Sequence, residues 1–198
     1  MAYNPKDHYF KKAKEQNFAA RSVFKLEEID QKFKMLKPKQ TILDLGASPG
    51  SWSQYCSQKI GPGGRILGVD LRPVNVKLNN AVFIQADLRD LELEKIITEH
   101  GFTPQFDLVI SDMAPNTTGI RMTDQARSFQ LCELAMDLAT KFLKKDGHFI
   151  CKLFHSDDFT TLKDRIKNEY GRFEAVKPDS TRKISKEIFL VGLKKKNA

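Results

Sequence analysis

A chain of 198 residues, 40% of them hydrophobic, is long enough for one domain with a real core. No apolar run approaches the ~18 residues that cross a bilayer, the start MAYNPKDHYFKK lacks a secretory core, and three scattered cysteines (Cys56, Cys132, Cys151) fit reduced thiols. A membrane or disulfide-stapled secreted protein is thereby excluded, and a cytoplasmic one expected. The formal net charge of +8 lies at the ends. Residues 1–39 carry ten Lys/Arg against five Asp/Glu, residues 177–198 seven against two, and residues 40–176 sixteen against eighteen. Ends that met on one face would attract a polyanion such as RNA; solvated Lys-rich tails are the plain alternative.

In chain order, Phe18, Val23, Leu26, Ile29 and Phe33 give helical spacing over 17–35. From Thr41 the rhythm changes. TILDL reads as a short strand, SWSQYCSQKI as a helix, RILGVDL and AVFIQADL as strands, LELEKIITEH as a helix, and FDLVISDM as a fourth strand. Residues 123–144 predict a long helix with Phe129, Leu131, Leu134, Met136, Leu138 and Leu143 on its apolar side, stopped by KDG. HFICKLF is a fifth strand with Lys152 between its apolar residues. A helix near 157–169 and the strands FEAVKP and EIFLVGLK follow.

Such alternation predicts a mostly parallel sheet with helices on both faces. The connection KPDSTRKISK is too short for a crossover helix, so the last strand should run antiparallel. This layout of seven strands resembles the Rossmann-like fold of S-adenosylmethionine-dependent methyltransferases. One domain over 1–198 is expected: a basic helical segment over 1–39, a catalytic α/β core over 40–194, and a basic tail over 195–198.

The turn ILDLGASPGSW places Gly46 and Gly50 after the first strand, where open α/β sheets bind ligands. Its G-x-x-x-G spacing is not the dinucleotide fingerprint. Asp44, Asp70 and Asp87 lie near the ends of the first three strands, and three carboxylates around one pocket would repel a pyrophosphate. They suit a ligand with an ammonium, a sulfonium and a ribose diol, as S-adenosyl-L-methionine has. Asp70 is placed for the ribose hydroxyls, Asp87 for the adenine amino group, and the two glycines for close approach of the backbone. Trp52, the sole tryptophan, reads equally as a ligand contact or a core anchor.

Asp112 ends the fourth strand in SDMAPN, Lys152 lies near the end of the fifth, Glu187 opens the last in SKEIFLV, and Lys25 belongs to ARSVFKLEEI. Strand parity sets Lys152 on one side with Ile150 and Phe154, opposite Phe149, Cys151 and Leu153. Together ARSVFKLEEI, DLGASPGSWSQ, SDMAPNTTG, CKLF and KPDSTRKISKEIFLV resemble the FtsJ/RrmJ family of RNA ribose methyltransferases, most closely its bacterial branch. The turn reads GASPGS where the family often has GAAPGG, a change confined to Ser48 and Ser51.

The resemblance implies a catalytic Lys-Asp-Lys-Glu tetrad of Lys25, Asp112, Lys152 and Glu187, and cofactor contacts at Gly50, Trp52, Asp70, Asp87 and Asp112. It implies methyl transfer from S-adenosyl-L-methionine to a uridine 2′-hydroxyl of 23S rRNA within the 50S subunit, by a monomer. Lys152 then either takes the hydroxyl proton or, as a cation, orients the hydroxyl and stabilises the developing alkoxide. Pyrimidine carbon-5 methylation needs a cysteine nucleophile, and no cysteine is placed for it. Amino-group methylation goes with an Asn/Asp-Pro-Pro-aromatic turn that SDMAPN does not match. A tRNA 2′-O-methyltransferase and a non-catalytic ribosome-assembly factor are the alternatives. Arg21, Lys6, Lys11, Lys12, Lys14 and Lys183 are candidates for phosphate contacts. The four histidines show no ligand spacing, and no metal is expected.

Overall fold

The computed structural model describes residues 8–156 and 158–197. Its elements are α1 (His8–Glu15), α2 (Val23–Phe33), β1 (Thr41–Leu45), α3 (Ser51–Ile60), β2 (Arg65–Asp70), β3 (Ala81–Gln85) and α4 (Leu93–Glu99). They continue with β4 (Phe106–Ser111), α5 (Arg121–Phe142), β5 (Leu143–Phe154), α6 (Phe159–Glu169), β6 (Tyr170–Val176) and β7 (Glu187–Lys195). The strands form one sheet in the order β3-β2-β1-β4-β5-β7-β6. Pairs from β3 to β5 are parallel, while β7 runs antiparallel to both β5 and β6. The expected α/β layout with an antiparallel last strand is therefore present. Because β7 is reversed, its first residue meets the last residue of β5, Phe154 facing Glu187. The ends of β1, β2, β4 and β5 and the start of β7 thus share one edge.

Two apolar clusters clothe the sheet. Leu43, Leu45, Val109, Phe149, Cys151 and Leu153 pack against α4, α5 and α6, while Ile42, Ile110, Ile150, Phe189 and Val191 pack under α1, α2 and α3. Lys152 follows the parity of Ile150 and so lies on the α2–α3 side, as its place in the strand predicts.

Locally the structure differs from the sequence expectations. The helical spacing over 17–35 becomes a helix only from Val23; Phe18 sits in the preceding turn, edge-on to the Phe24 ring at 6.4 Å. In α5 the buried residues are Asp124, Ser128, Cys132, Ala135, Met136, Ala139 and Phe142, so Met136 faces the core as expected while Phe129 and Leu138 flank it. Small side chains let the helix approach the sheet closely, and bulk is displaced to the flanks. The helix also stops at Phe142, and KDG forms an irregularity at the start of β5, with Asp146 at φ 61°.

The expected basic tail is corrected too. Lys195 closes β7, is only 9% exposed, and its Nζ donates to the carbonyls of Ala139 (3.2 Å), Thr140 and Leu143 (2.9 Å) at the end of α5. Lys196 does the same for α6 through Lys167 and Asn168. Thr140, Lys167 and Asn168 lie in the last turns of α5 and α6, whose carbonyls a helix leaves without partners and where the dipole favours positive charge. Lys195→Met should therefore lower stability by about 1–3 kcal/mol in urea titrations, whereas Lys194→Met, at an exposed site, should stay within about 0.5 kcal/mol. Equal effects would contradict this role.

Candidate active site

The turn after β1 is built by positive φ at Gly46 (80°) and Gly50 (108°). A Cβ on Gly46 would lie 2.6 Å from the Met113 side chain, and one on Gly50 2.3 Å from Val76. The protein's own side chains thus already demand these glycines. Asp70 is fixed by the backbone: its carboxylate accepts from the amides of Ser48 (2.9 Å) and Arg72 (2.7 Å). Asp87 lies just past β3 and is turned onto Arg89, whose side-chain hydrogen bonds, followed by the Arg89 amide, hold its carboxyl down at about 2. A ligand amino group would have to share that carboxylate with the guanidinium.

Trp52 is a core anchor. It is 3% exposed, its indole N–H donates to the Ser22 carbonyl at 2.9 Å, and its ring lies 5.7 Å from Phe189. Any contact with a ligand falls to its backbone in the first turn of α3, where no side chain caps the helix and amide N–H groups have no helical partner.

Beneath the turn Asp44 is fully buried. Ser53 donates to one oxygen at 2.6 Å, and Oδ1 has no hydrogen-bond partner among the described residues. Burial, opposed by the Ser53 hydrogen bond and reinforced by the charges of Asp112 and Asp70, pushes its carboxyl up to about 7. The carboxylates at this edge repel one another, which is what a bound cation would relieve.

Across the sheet edge stand two ion pairs. Lys152, 8% exposed, donates from Nζ to Asp112 Oδ1 at 2.8 Å and to the Asp112 carbonyl at 2.6 Å. Lys25 Nζ, from α2, lies 2.5 Å from Glu187 Oε1. Phe189 separates them: it pairs with Lys152 in the β5–β7 register, and Lys25 Nζ lies 5.9 Å from its ring centre. The four residues expected to act together are thus gathered on one face as two lysine–carboxylate pairs. Phe189 was not among the candidates, although it lies two residues from Glu187, on the same side of the strand. Behind Lys152, Cys132 Sγ donates to its carbonyl at 2.9 Å. All three cysteines are buried, and burial raises the thiols of Cys56 and Cys151 well above their usual value, so neither is a ready nucleophile.

Of the basic candidates, Lys6 lies outside the described residues. Lys11, Lys14 and Lys183 are exposed, Lys12 Nζ sits 4.5 Å over the Phe24 ring, and Arg21 donates to the Ser180 carbonyl. Among the described residues no group of three or more His, Cys, Asp or Glu is placed to hold a metal, and no helix is long and apolar enough to cross a membrane.

The chain is similar to known methyltransferases along nearly its whole length. The sequence profile of the FtsJ-like methyltransferases matches residues 18–195. The chain is 76% identical over 196 residues to ribosomal RNA large subunit methyltransferase E of Bdellovibrio bacteriovorus, covering 99% of this chain and 100% of that protein. It is 44% identical over 196 residues to the protein of that name in Syntrophobacter fumaroxidans, with 98% of each covered. A crystal structure from Plasmodium falciparum, described as of a ribosomal RNA methyltransferase, superposes with a TM-score of 0.75 at 25% identity, over 91% of this chain and 100% of that one.

The raised carboxyl of Asp44 has a measurable consequence. Between about pH 4 and 7 the folded chain holds this proton while the unfolded chain has released it, so stability falls as pH rises, by up to about 1.4 kcal/mol per unit. Asp44→Asn, which cannot titrate, should gain stability relative to the wild type across that window and show a constant difference above it. A difference independent of pH in urea titrations would contradict the assignment.

Proposed function

We propose that the chain, which belongs to the FtsJ-like methyltransferase family, uses S-adenosyl-L-methionine to methylate a ribose 2′-hydroxyl of ribosomal RNA, a uridine of the 23S rRNA in the large subunit. The observation that carries this reading is the joining of Lys152 to Asp112 beside the Lys25–Glu187 pair at the edge where Asp44 and Asp70 gather. The relatives' name supports the ribosomal substrate, and the charge at both chain ends suits a polyanion. Work as a monomer in the cytoplasm belongs to the same proposal.

The residues present fit the cofactor. Asp70 would hold the ribose diol through the acceptor positions that its two amide bonds leave open. Asp87 would meet the adenine amino group beside Arg89. Gly46, Gly50 and the backbone at Trp52 would line the amino-acid part, with Asp112 and buried Asp44 favouring its positive charges. When bound, the cofactor supplies a methyl group on a sulfonium that departs as a neutral thioether.

Lys152 does the proton work. Two of the three positions open on Nζ point at Asp112, and one is left for the 2′-hydroxyl. At that position Lys152 either takes the hydroxyl proton or, as a cation, orients the hydroxyl and stabilises the developing alkoxide, and the Asp112 carboxylate stabilises its ammonium form in both cases. Lys25 and Glu187, held by Phe189 at a fixed offset, flank the approach and position the ribose. The buried cysteines and the absence of an Asn/Asp-Pro-Pro-aromatic turn at SDMAPN weigh against chemistry on a base.

Lys152→Ala should lower methyl transfer by at least 10²-fold to 10⁴-fold while cofactor affinity, read by calorimetry, stays within about threefold. Turnover within tenfold of the wild type would remove Lys152 from the reaction. Asp70→Ala should show the opposite pattern, with cofactor affinity lost first.

A further inference from the structure

The edge of the sheet opposite the reacting groups is built from the α2–β1 connection, the start of β4, the α5–β5 junction and the end of β7. Six exposed lysines gather there: Lys34, Lys37 and Lys39 before β1, Lys144 and Lys145 at the start of β5, and Lys194 near the end of β7. Shared partners show how close they lie. Asp107 accepts from the Thr41 amide at 2.7 Å and pairs with Lys144. The Lys194 amide donates to His148 Nδ1 at 3.1 Å, and after burial the charges of Lys37 and Lys194 lower that imidazole. Lys39 leads into Thr41, and its own amide donates to the Ile60 carbonyl at 2.8 Å. Lysines of the basic first segment and of the last strand thus meet on one edge.

Two features set these lysines apart from ordinary solvated charge. Among the described residues, Lys144 alone of the six has an ion pair or hydrogen bond at its ammonium group, and the carboxylates opposing the cations around His148 are Asp107 and Asp146. So many like charges on one edge raise a positive potential. The second feature is the backbone. Lys34, Lys39 and Lys194 have φ of 54°, 69° and 58°, in the left-handed region that favours glycine or asparagine. A lysine there gives up stability. The dipoles of α2 and α3 suit cations at Lys34 and Lys39, but Lys194 lies within a strand and has no such reason. Stability surrendered at three places on one edge is accounted for when the charge itself is used.

We propose that this edge binds the phosphate backbone of double-helical RNA, a segment apart from the one that meets Lys152. The inference rests on the reading of the chain as an RNA ribose methyltransferase, and adds to it a second hold on the same polyanion. His148 lies four residues before Lys152 on β5, so the edge stands about 13 Å along the strand from the reacting groups. Lysines meet phosphates as point charges and read no sequence. The large apolar side chains exposed among the described residues are Phe10, Leu71, Ile120, Met122 and Ile184, none of them on this edge. Unstacked bases would find no platform here, which favours a helix over a single strand.

The test uses the full chain and a fluorescently labelled RNA duplex of about 16 base pairs, in anisotropy titrations from about 50 to 200 mM salt. It involves no methyl transfer. A triple variant, Lys34→Asn with Lys39→Asn and Lys194→Asn, should weaken binding at least about tenfold and flatten the plot of log affinity against log salt by roughly 2 to 3, the loss of three phosphate contacts. Asparagine suits left-handed backbone, so thermal melting should stay at or above the wild type. Lys95→Gln, which removes an exposed charge from α4, should keep affinity within about twofold. Unchanged affinity and slope for the triple variant, an equal effect per charge from Lys95→Gln, or no binding of the duplex by the wild type would overturn the proposal. Binding to phosphatidylglycerol vesicles but not to the duplex would overturn it in favour of a lipid surface. If the stated losses occur while the wild type methylates no ribose, the edge stands and the assigned reaction falls. Ribose methylation with duplex binding indifferent to the triple variant sinks the edge alone.

Discussion

An ammonium group held almost out of water between apolar strands is the constraint around which this molecule is arranged. An unpaired ion at such a place costs several kcal/mol, and only a close partner with good geometry offsets it. Lys152 finds that partner in Asp112, one strand away, through both the carboxylate and the carbonyl of the same residue. The contact is possible because β4 and β5 run parallel with Ser111 beside Cys151, which puts the residues that follow them at one height. A slip of one residue would turn Lys152 into the cluster under α5 and α6, away from Asp112.

The reversed strand β7 extends the same logic. Running antiparallel to β5, it brings Glu187 to the edge where Asp112 ends β4 and sets Phe189 across from Lys152. Phe189 packs against Trp52, and Trp52 is bonded to the start of α2, the helix that carries Lys25. One aromatic contact therefore fixes the spacing of both ion pairs and of the turn after β1. A site assembled from α2, β4, β5 and β7 is held by packing that is mostly buried, which is how a chemistry that depends on alignment keeps its geometry.

Much of this was legible in the sequence because buried parallel strands read as short apolar runs with a carboxylate or glycine at the end, as TILDLG and FDLVISD show. Asp112, Lys152 and Glu187 were likewise visible, since a lysine and two acids at strand ends have no role in a core, whereas Lys25, on a helix, stood out only through the family resemblance of ARSVFKLEEI. What was hidden depends on three-dimensional closeness. The buried face of α5 is chosen by the room available over the sheet, so alanine and cysteine go inward and leucines flank them. Trp52 was ambiguous because the residue that binds its indole, Ser22, lies 30 positions away. Lys195 looked like tail because nothing local signals that the carbonyls at the end of α5 would surround it. Asp87 gave no hint of its engagement by Arg89.

The central proposal is that this edge of the sheet acts on a ribose rather than on a base. Its most direct test incubates the chain with ribosomal large subunits, prepared from cells lacking the protein, and methyl-labelled S-adenosylmethionine, then hydrolyses the RNA in alkali. A 2′-O-methyl group blocks cleavage of the adjoining phosphodiester, so the account predicts label in alkali-resistant dinucleotides, with none when Lys152→Ala replaces the wild type. Label released entirely with mononucleotides, as a methylated base would be, would contradict it.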